Sequence, residues 1–103
     1  MKIRDIINGE KPTLSFEVFP PKKDTDFANV EAAAFGIAGL SPSYMSVTYG
    51  AGGSTKGHTI ALAQAIQEKY NVPTIAHLTC VCANREGIKA ALSELKSAGI
   101  ENI

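Results

Sequence analysis

Hydrophobic and polar residues alternate along positions 14–19, and this period of two predicts a β-strand. The alternation puts three residues on each face of the strand: Leu14, Phe16 and Val18 on one, and Ser15, Glu17 and Phe19 on the other. Prolines follow at positions 20 and 21, and they should end the strand because proline cannot donate a backbone hydrogen bond. Glu17 is therefore predicted near the carboxyl end of a strand, where parallel α/β folds place their chemistry.

Two more segments, 44–49 and 74–81, predict strands. The first of them runs into a glycine-rich segment, residues 50–55, whose backbone can approach a ligand closely. Glu17, Thr48 and His77 are roughly 30 residues apart, the size of one βαβ unit. Each of the three is expected near the end of its strand.

Apolar residues at helical spacing predict four helices around these strands. Their apolar positions are Ile3, Ile6 and Ile7; Phe27, Val30, Ala34 and Ile37; Ile60, Ala63, Ile66 and Tyr70; and Ile88, Ala91, Leu92 and Leu95. Asn84 is the predicted N-cap of the last helix, Gly99 follows its end, and residues 100–103 predict the start of a fourth strand. Successive βα units without a hairpin signal predict a parallel sheet with right-handed crossovers.

Composition limits the classes of function. The 103 residues make one domain at most, and 45% hydrophobic with 19% charged residues is ordinary for a soluble protein. Ten basic and ten acidic residues give a net charge of zero, which argues against a nucleic-acid or membrane surface. The start of the chain has no secretory signal and no apolar run approaches the ~20 residues of a membrane span, so we expect a cytoplasmic location.

Zinc is an alternative to consider, because His77, Cys80 and Cys82 carry suitable ligand atoms. Strand alternation would place His77 on the face opposite the two cysteines. The chain also has no second cluster of cysteines or histidines. We therefore predict no metal site.

Three motifs carry a resemblance to a known family: SFEVFPPK at residues 15–22, SVTYGAGGST at 46–55 and AHLTC at 76–80. In this order and spacing they resemble the methylenetetrahydrofolate reductases. The resemblance covers essentially the whole chain but only the amino-terminal part of the family's domain. That family is a flavin-bearing (β/α)8 TIM barrel, which takes ~250 residues. The implied fold is α/β, with residues 1–103 as a single partial domain that supplies three parallel βα units and the start of strand four.

The resemblance implies that NAD(P)H reduces FAD, and that the reduced flavin converts 5,10-methylenetetrahydrofolate to 5-methyltetrahydrofolate for methionine supply. Glu17 matches the family's general acid, which protonates the leaving nitrogen of the folate. A carboxyl held between Phe16, Val18 and Phe19, near an uncharged flavin edge, should be desolvated, and this favours its protonated form. The resemblance also implies a small-molecule folate partner and a homo-oligomer.

Four residues match positions that line the flavin in the family: Thr48, Tyr49, Ala51 and His77. Hydroxyl, phenol and imidazole groups at strand ends can hydrogen-bond a ring system without adding net charge. The family's next flavin motif, Arg-Gly-Asp after the fourth strand, would begin just beyond Ile103. The 103-residue chain alone is therefore expected to be incomplete and inactive.

The residues taken alone leave other interpretations open. Glu17 could be an exposed carboxylate of an edge strand, and His77 a histidine at the rim of the core. The glycine cluster could be only a flexible loop, since it has neither a Walker lysine nor dinucleotide spacing. The chain could also be a non-catalytic α/β module that self-associates or completes a barrel with another chain.

Overall fold

The computed structural model describes residues 1–50 and 56–103 as alternating helices and strands. In chain order they are α1 (Ile3–Ile7), β1 (Ser15–Val18), a 3₁₀ turn (Asp24–Asp26), α2 (Phe27–Ala38), β2 (Tyr44–Val47), α3 (Lys56–Tyr70), β3 (Thr74–Ala76) and α4 (Arg85–Ser97). The predicted order of elements is confirmed. None of the helices in the described part of the chain is both long and apolar enough to cross a bilayer.

The three strands form a parallel sheet in the order β1-β2-β3, as predicted. Its register places Glu17 of β1 opposite Ser46 of β2, and Ser46 opposite Ile75 of β3. Because side chains alternate between the two faces of a strand, these three residues lie on the same face of the sheet.

The other face of the sheet packs against the helices. Its residues join side chains of α2, α3 and α4 in one hydrophobic cluster that includes Val18, Met45, Val47, Ala76, Ala34, Ala38, Leu62, Ala63, Ile66 and Leu95. Each of these residues is at most 8% exposed. The helices that contribute to this core therefore lie on one side of the sheet, and the face with Glu17 is left open in the described chain.

The third strand is shorter than predicted. It ends at Ala76, whereas alternation in the sequence suggested that it continues to residue 81. The ladder with β2 stops after the main-chain N–H of His77 donates to the carbonyl of Val47. Beyond this point the chain makes its own turn, in which Cys82 has a φ of 57° and Ala83 donates to the carbonyl of Cys80. A strand continues only while a neighbouring strand is there to pair with it. The sequence pattern of one strand does not show where its neighbour ends.

The predicted fourth strand is present as a single parallel bridge between Ile75 and Asn102. The side chain of Asn102 also accepts a 2.9 Å hydrogen bond from the main chain of Ile3 and donates to the carbonyl of Met1. These contacts fix the short helix α1 beside the amino end of β3.

The predicted boundaries of α4 are confirmed in atomic detail. Asn84 has extended backbone geometry, and its side-chain oxygen accepts a 2.8 Å hydrogen bond from the main-chain N–H of Gly87. This is the expected N-cap geometry. After the helix, Gly99 takes a φ of 71°, a conformation that glycine adopts without steric cost.

Candidate active site

The carboxyl ends of the strands bring the predicted site residues to one edge of the sheet. Thr48 directly follows β2, and its main-chain N–H donates a 3.0 Å hydrogen bond to the carbonyl of Val18. His77 directly follows β3, and its N–H donates at 3.0 Å to the carbonyl of Val47. The ladder therefore runs one residue past each strand. It places Thr48 and His77 at the same edge as Glu17, as predicted.

The carboxylate of Glu17 has two polar neighbours on the open face. The hydroxyl of Ser46 donates a 2.8 Å hydrogen bond to Oε2 of Glu17. The Nε2 atom of His77 lies 3.6 Å from the same oxygen, which is too long for a direct hydrogen bond but close enough for electrostatic attraction when the ring is protonated. The side chains of Glu17 and His77 are 48% and 43% exposed. A carboxyl group thus lies between a hydroxyl and an imidazole, at a surface open to a ligand.

The expected apolar enclosure of Glu17 is wrong for this chain. Phe16 and Val18 point to the opposite face, where they pack with the helices, because they alternate with Glu17 along the strand. Phe19 is 69% exposed. Any desolvation of Glu17 must therefore come from a ligand, or from protein surface beyond the described residues.

A cleft of about 480 Å³ lies next to this cluster. It is lined by Tyr49, Ile75, His77, Leu78, Thr79 and Ile103. Apolar side chains alternate here with hydroxyl and imidazole groups, which suits a flat aromatic ring system. His77 lines the cleft, and its Nε2 atom lies 3.6 Å from Oε2 of Glu17. The imidazole therefore separates the cleft from the carboxylate. These residues offer the kinds of apolar surface and hydrogen-bonding group that a flavin ring system would need.

Helix α3 holds the backbone of Thr48 in position through a hydrogen bond. The hydroxyl of Thr59 donates a 2.8 Å hydrogen bond to the main-chain carbonyl of Thr48, and Thr59 is 0% exposed. With Val18 accepting from its N–H, Thr48 has both of its backbone polar groups bonded. This rigid support suits a residue that contacts a ligand.

Ala51, the remaining predicted flavin contact, lies outside the described residues. Cys80 and Cys82 are both free and exposed. Within 1–50 and 56–103, no three histidine, cysteine, aspartate or glutamate residues come together in a way that could hold a metal ion.

Sequence reasoning missed two residues of the site, Ser46 and Thr59. Ser46 lies 29 positions after Glu17 and is its register partner, and the same spacing separates Val18 from Val47. Aligning the buried valines gives this register only once β1 and β2 are known to be neighbours in the sheet. Thr59 gave no such signal, because a buried threonine in a helix looks like any other core position.

A larger cavity, of about 700 Å³, lies at the opposite end of the strands. Its lining includes Ser43 and Pro73, which come just before β2 and β3. The carboxylate and imidazole described above are therefore not part of it. We place the candidate site at the smaller cleft, because that is where groups capable of acid–base chemistry meet.

Comparison with known proteins agrees with the motifs. The family model described as methylenetetrahydrofolate reductase matches residues 2–103. The chain is 36% identical to methylenetetrahydrofolate reductase (NADH) 1 of Zea mays over 99% of its own length and 17% of that protein. It is 36% identical to methylenetetrahydrofolate reductase 2 of Schizosaccharomyces pombe over 100% of its length and 17% of that protein.

A bacterial relative matches as well. The 5,10-methylenetetrahydrofolate reductase of Pectobacterium carotovorum is 30% identical over 87% of the chain and 30% of that protein. The chain thus spans less than a third of each of these relatives. Because the family match extends over nearly every residue, the chain belongs to the methylenetetrahydrofolate reductase family.

Proposed function

We propose that the protein carrying this chain is a flavin-dependent reductase that converts 5,10-methylenetetrahydrofolate to 5-methyltetrahydrofolate, with NAD(P)H as the hydride donor. Family membership supports this reaction. We also propose that residues 1–103 form the first part of a (β/α)8 barrel. Sequential parallel strands, with the core helices on one side, support a barrel because its strands follow one another in chain order. A cytoplasmic location and a homo-oligomer remain predictions from the sequence.

The observation that carries the proposal is the placement of Glu17 on the open face, bonded to Ser46 and 3.6 Å from His77. The carbon to be reduced bridges two nitrogens, so one carbon–nitrogen bond must open before the carbon can accept hydride. A proton on the leaving nitrogen makes that bond easier to break. Glu17 is an acid at an accessible strand end, and we assign it this proton transfer.

FAD would supply the hydride chemistry, and the residues of the cleft would hold it. Tyr49 and His77 line the cleft. Thr48 comes directly before Tyr49, at the carboxyl end of β2. Their role is to bind and orient the ring system beside Glu17. Ala51 belongs to this proposal by family resemblance only.

The test is Glu17→Gln in the intact protein, followed in two separate half-reactions. We expect NAD(P)H to reduce the bound flavin at the normal rate, whereas transfer to the folate falls by about 10²-fold or more because the amide cannot donate the proton. Glu10→Gln is the matched control, since Glu10 is an exposed carboxylate before β1. Loss of both half-reactions in Glu17→Gln would show that Glu17 is structural and would overturn its role as acid.

A non-catalytic module remains the second candidate. Two features favour it: the open face of the sheet, and the edge of β3, which is paired through a single bridge between Ile75 and Asn102. Ile103 at this edge is 59% exposed. The 103-residue chain can be mixed with FAD and passed over a gel-filtration column while its absorbance is recorded. Retained flavin would support the reductase. A chain without flavin fits both candidates, and they are then separated in the intact protein, where the module predicts no oxidation of NAD(P)H.

A further inference from the structure

We propose that Ser46 is a positioning residue that directs the acidic proton of Glu17 to Oε1. The proposal rests on the proposed function, since it assumes that Glu17 is the proton donor. It adds a residue to the site and specifies which oxygen faces the folate.

The position of Ser46 is fixed by the sheet. It is the register partner of Glu17, so the two side chains lie side by side on the open face. Its neighbours in β2, Met45 and Val47, are 0% exposed and pack on the opposite face. The backbone that carries the hydroxyl is therefore rigid, and the hydroxyl can reach Glu17 at 2.8 Å without rearrangement.

The contacts of Glu17 make its two oxygens unequal. Ser46 donates to Oε2, and His77 also lies nearest that oxygen. A protonated carboxyl group donates through one oxygen and accepts through the other. An oxygen that already accepts a hydrogen bond from Ser46 acts as the carbonyl oxygen, so the proton resides on Oε1 and points away from Ser46.

This arrangement assists the proton transfer itself. The Oε1–H bond of Glu17 breaks, an N–H bond forms on the leaving nitrogen, and the carbon–nitrogen bond opens with its electron pair staying on that nitrogen. Negative charge then develops on the carboxylate. The hydrogen bond from Ser46 strengthens at this moment, because bonds to an ionised acceptor are stronger than bonds to a neutral one.

The experiment compares Ser46→Ala and Ser46→Thr in the intact protein, with the two half-reactions measured separately. Ser46→Ala should slow transfer to the folate by about tenfold, the effect of losing one hydrogen bond to a charged group, and leave flavin reduction by NAD(P)H unchanged. Ser46→Thr keeps the hydroxyl and should restore the rate to within about twofold, since threonine is well tolerated in strands.

Ser43→Ala is the matched control, because Ser43 also links the first two strands. Its hydroxyl oxygen accepts from the main-chain N–H of Leu14 and does not contact Glu17. If Ser46 acts only by holding the strands together, Ser43→Ala should slow the folate step as much as Ser46→Ala does. That result would overturn the proposal.

The double variant Glu17→Gln/Ser46→Ala separates this proposal from the acid role of Glu17. If Ser46 acts through Glu17, the double variant should be no slower than Glu17→Gln. A further tenfold loss would mean that Ser46 acts independently and would overturn the proposal. If Glu17→Gln blocks the folate step but Ser46→Ala does not slow it, only the proposal about Ser46 fails. If Glu17→Gln leaves the folate step intact, the acid role fails and the proposal falls with it.

Discussion

The hydroxyl of Thr59 donates a 2.8 Å hydrogen bond to the main-chain carbonyl of Thr48. Thr59 lies in the first turn of α3 and is completely buried, whereas Thr48 directly follows β2 at the candidate site. This bond joins the start of a helix to the end of a strand. It holds in place the backbone that leads into the glycine-rich segment.

We predict that Thr59→Val lowers the free energy of unfolding by about 1–3 kcal/mol. Valine has nearly the same shape as threonine but leaves the carbonyl of Thr48 without this donor. The change can be measured by urea denaturation followed by circular dichroism. If the candidate site depends on this support, affinity for FAD in the intact protein should fall as well.

Thr74→Val is the control for this prediction. Thr74 is also 0% exposed, but its hydroxyl makes only a 3.4 Å contact with the carbonyl of Ala63, inside α3. This longer bond should stabilise the fold little, because a carbonyl inside a helix already has a backbone partner. Equal losses of stability in the two variants would argue that the Thr59 bond has no special importance.

Two leucines of α4 provide a test of where the core lies. Leu95 is 2% exposed and belongs to the core cluster, whereas Leu92 is 43% exposed. Leu95→Ala should reduce the free energy of unfolding of the 103-residue chain by about 2–5 kcal/mol, through lost burial and the cavity left behind. Leu92→Ala should cost less than about 1 kcal/mol. Similar losses for both leucines in a urea titration would contradict the described packing of α4.

The carboxylate of Glu101 should respond to the state of the amino terminus. A hydrogen bond from the ammonium group of Met1, assisted by the charges of that group and of Lys2, lowers the pKa of Glu101 below its ordinary value of 4.5. Because the pKa of Glu101 is lower in the folded state, its pairing with Met1 stabilises the folded chain at pH values above the unfolded pKa. This stability is lost as the pH falls below 4.5 and through the folded pKa. Because the group is fully exposed, the effect on stability should be small.

NMR titration of the Glu101 side chain can check this pairing. Acetylation of the amino terminus removes the ammonium charge and should move the titration midpoint toward higher pH. A midpoint that does not change on acetylation would show that the contact with Met1 does not persist in solution. Glu86 is a suitable internal reference, because it lies in α4 and its contact is with Lys89.

The sequence motifs predicted which edge of the sheet gathers Glu17, Thr48 and His77, but not the other residues of the candidate site. Glu17, Thr48 and His77 were placed correctly at strand ends, because each follows or closes an alternating apolar run. Ser46 was missed, since a serine in the middle of a strand has no distinctive pattern. The apolar enclosure of Glu17 was wrong because neighbours in a strand point to opposite faces.

The sequence by itself determined which segments form helices and strands, their order, and the Asn84 cap of the last helix. These features depend on local periodicity and on side chains within a few residues of one another. Only the tertiary structure decided that β3 ends at Ala76 and that Ser46 lies opposite Glu17. Strand length and register depend on a partner distant in the chain, and that partner is identified only when the sheet is assembled.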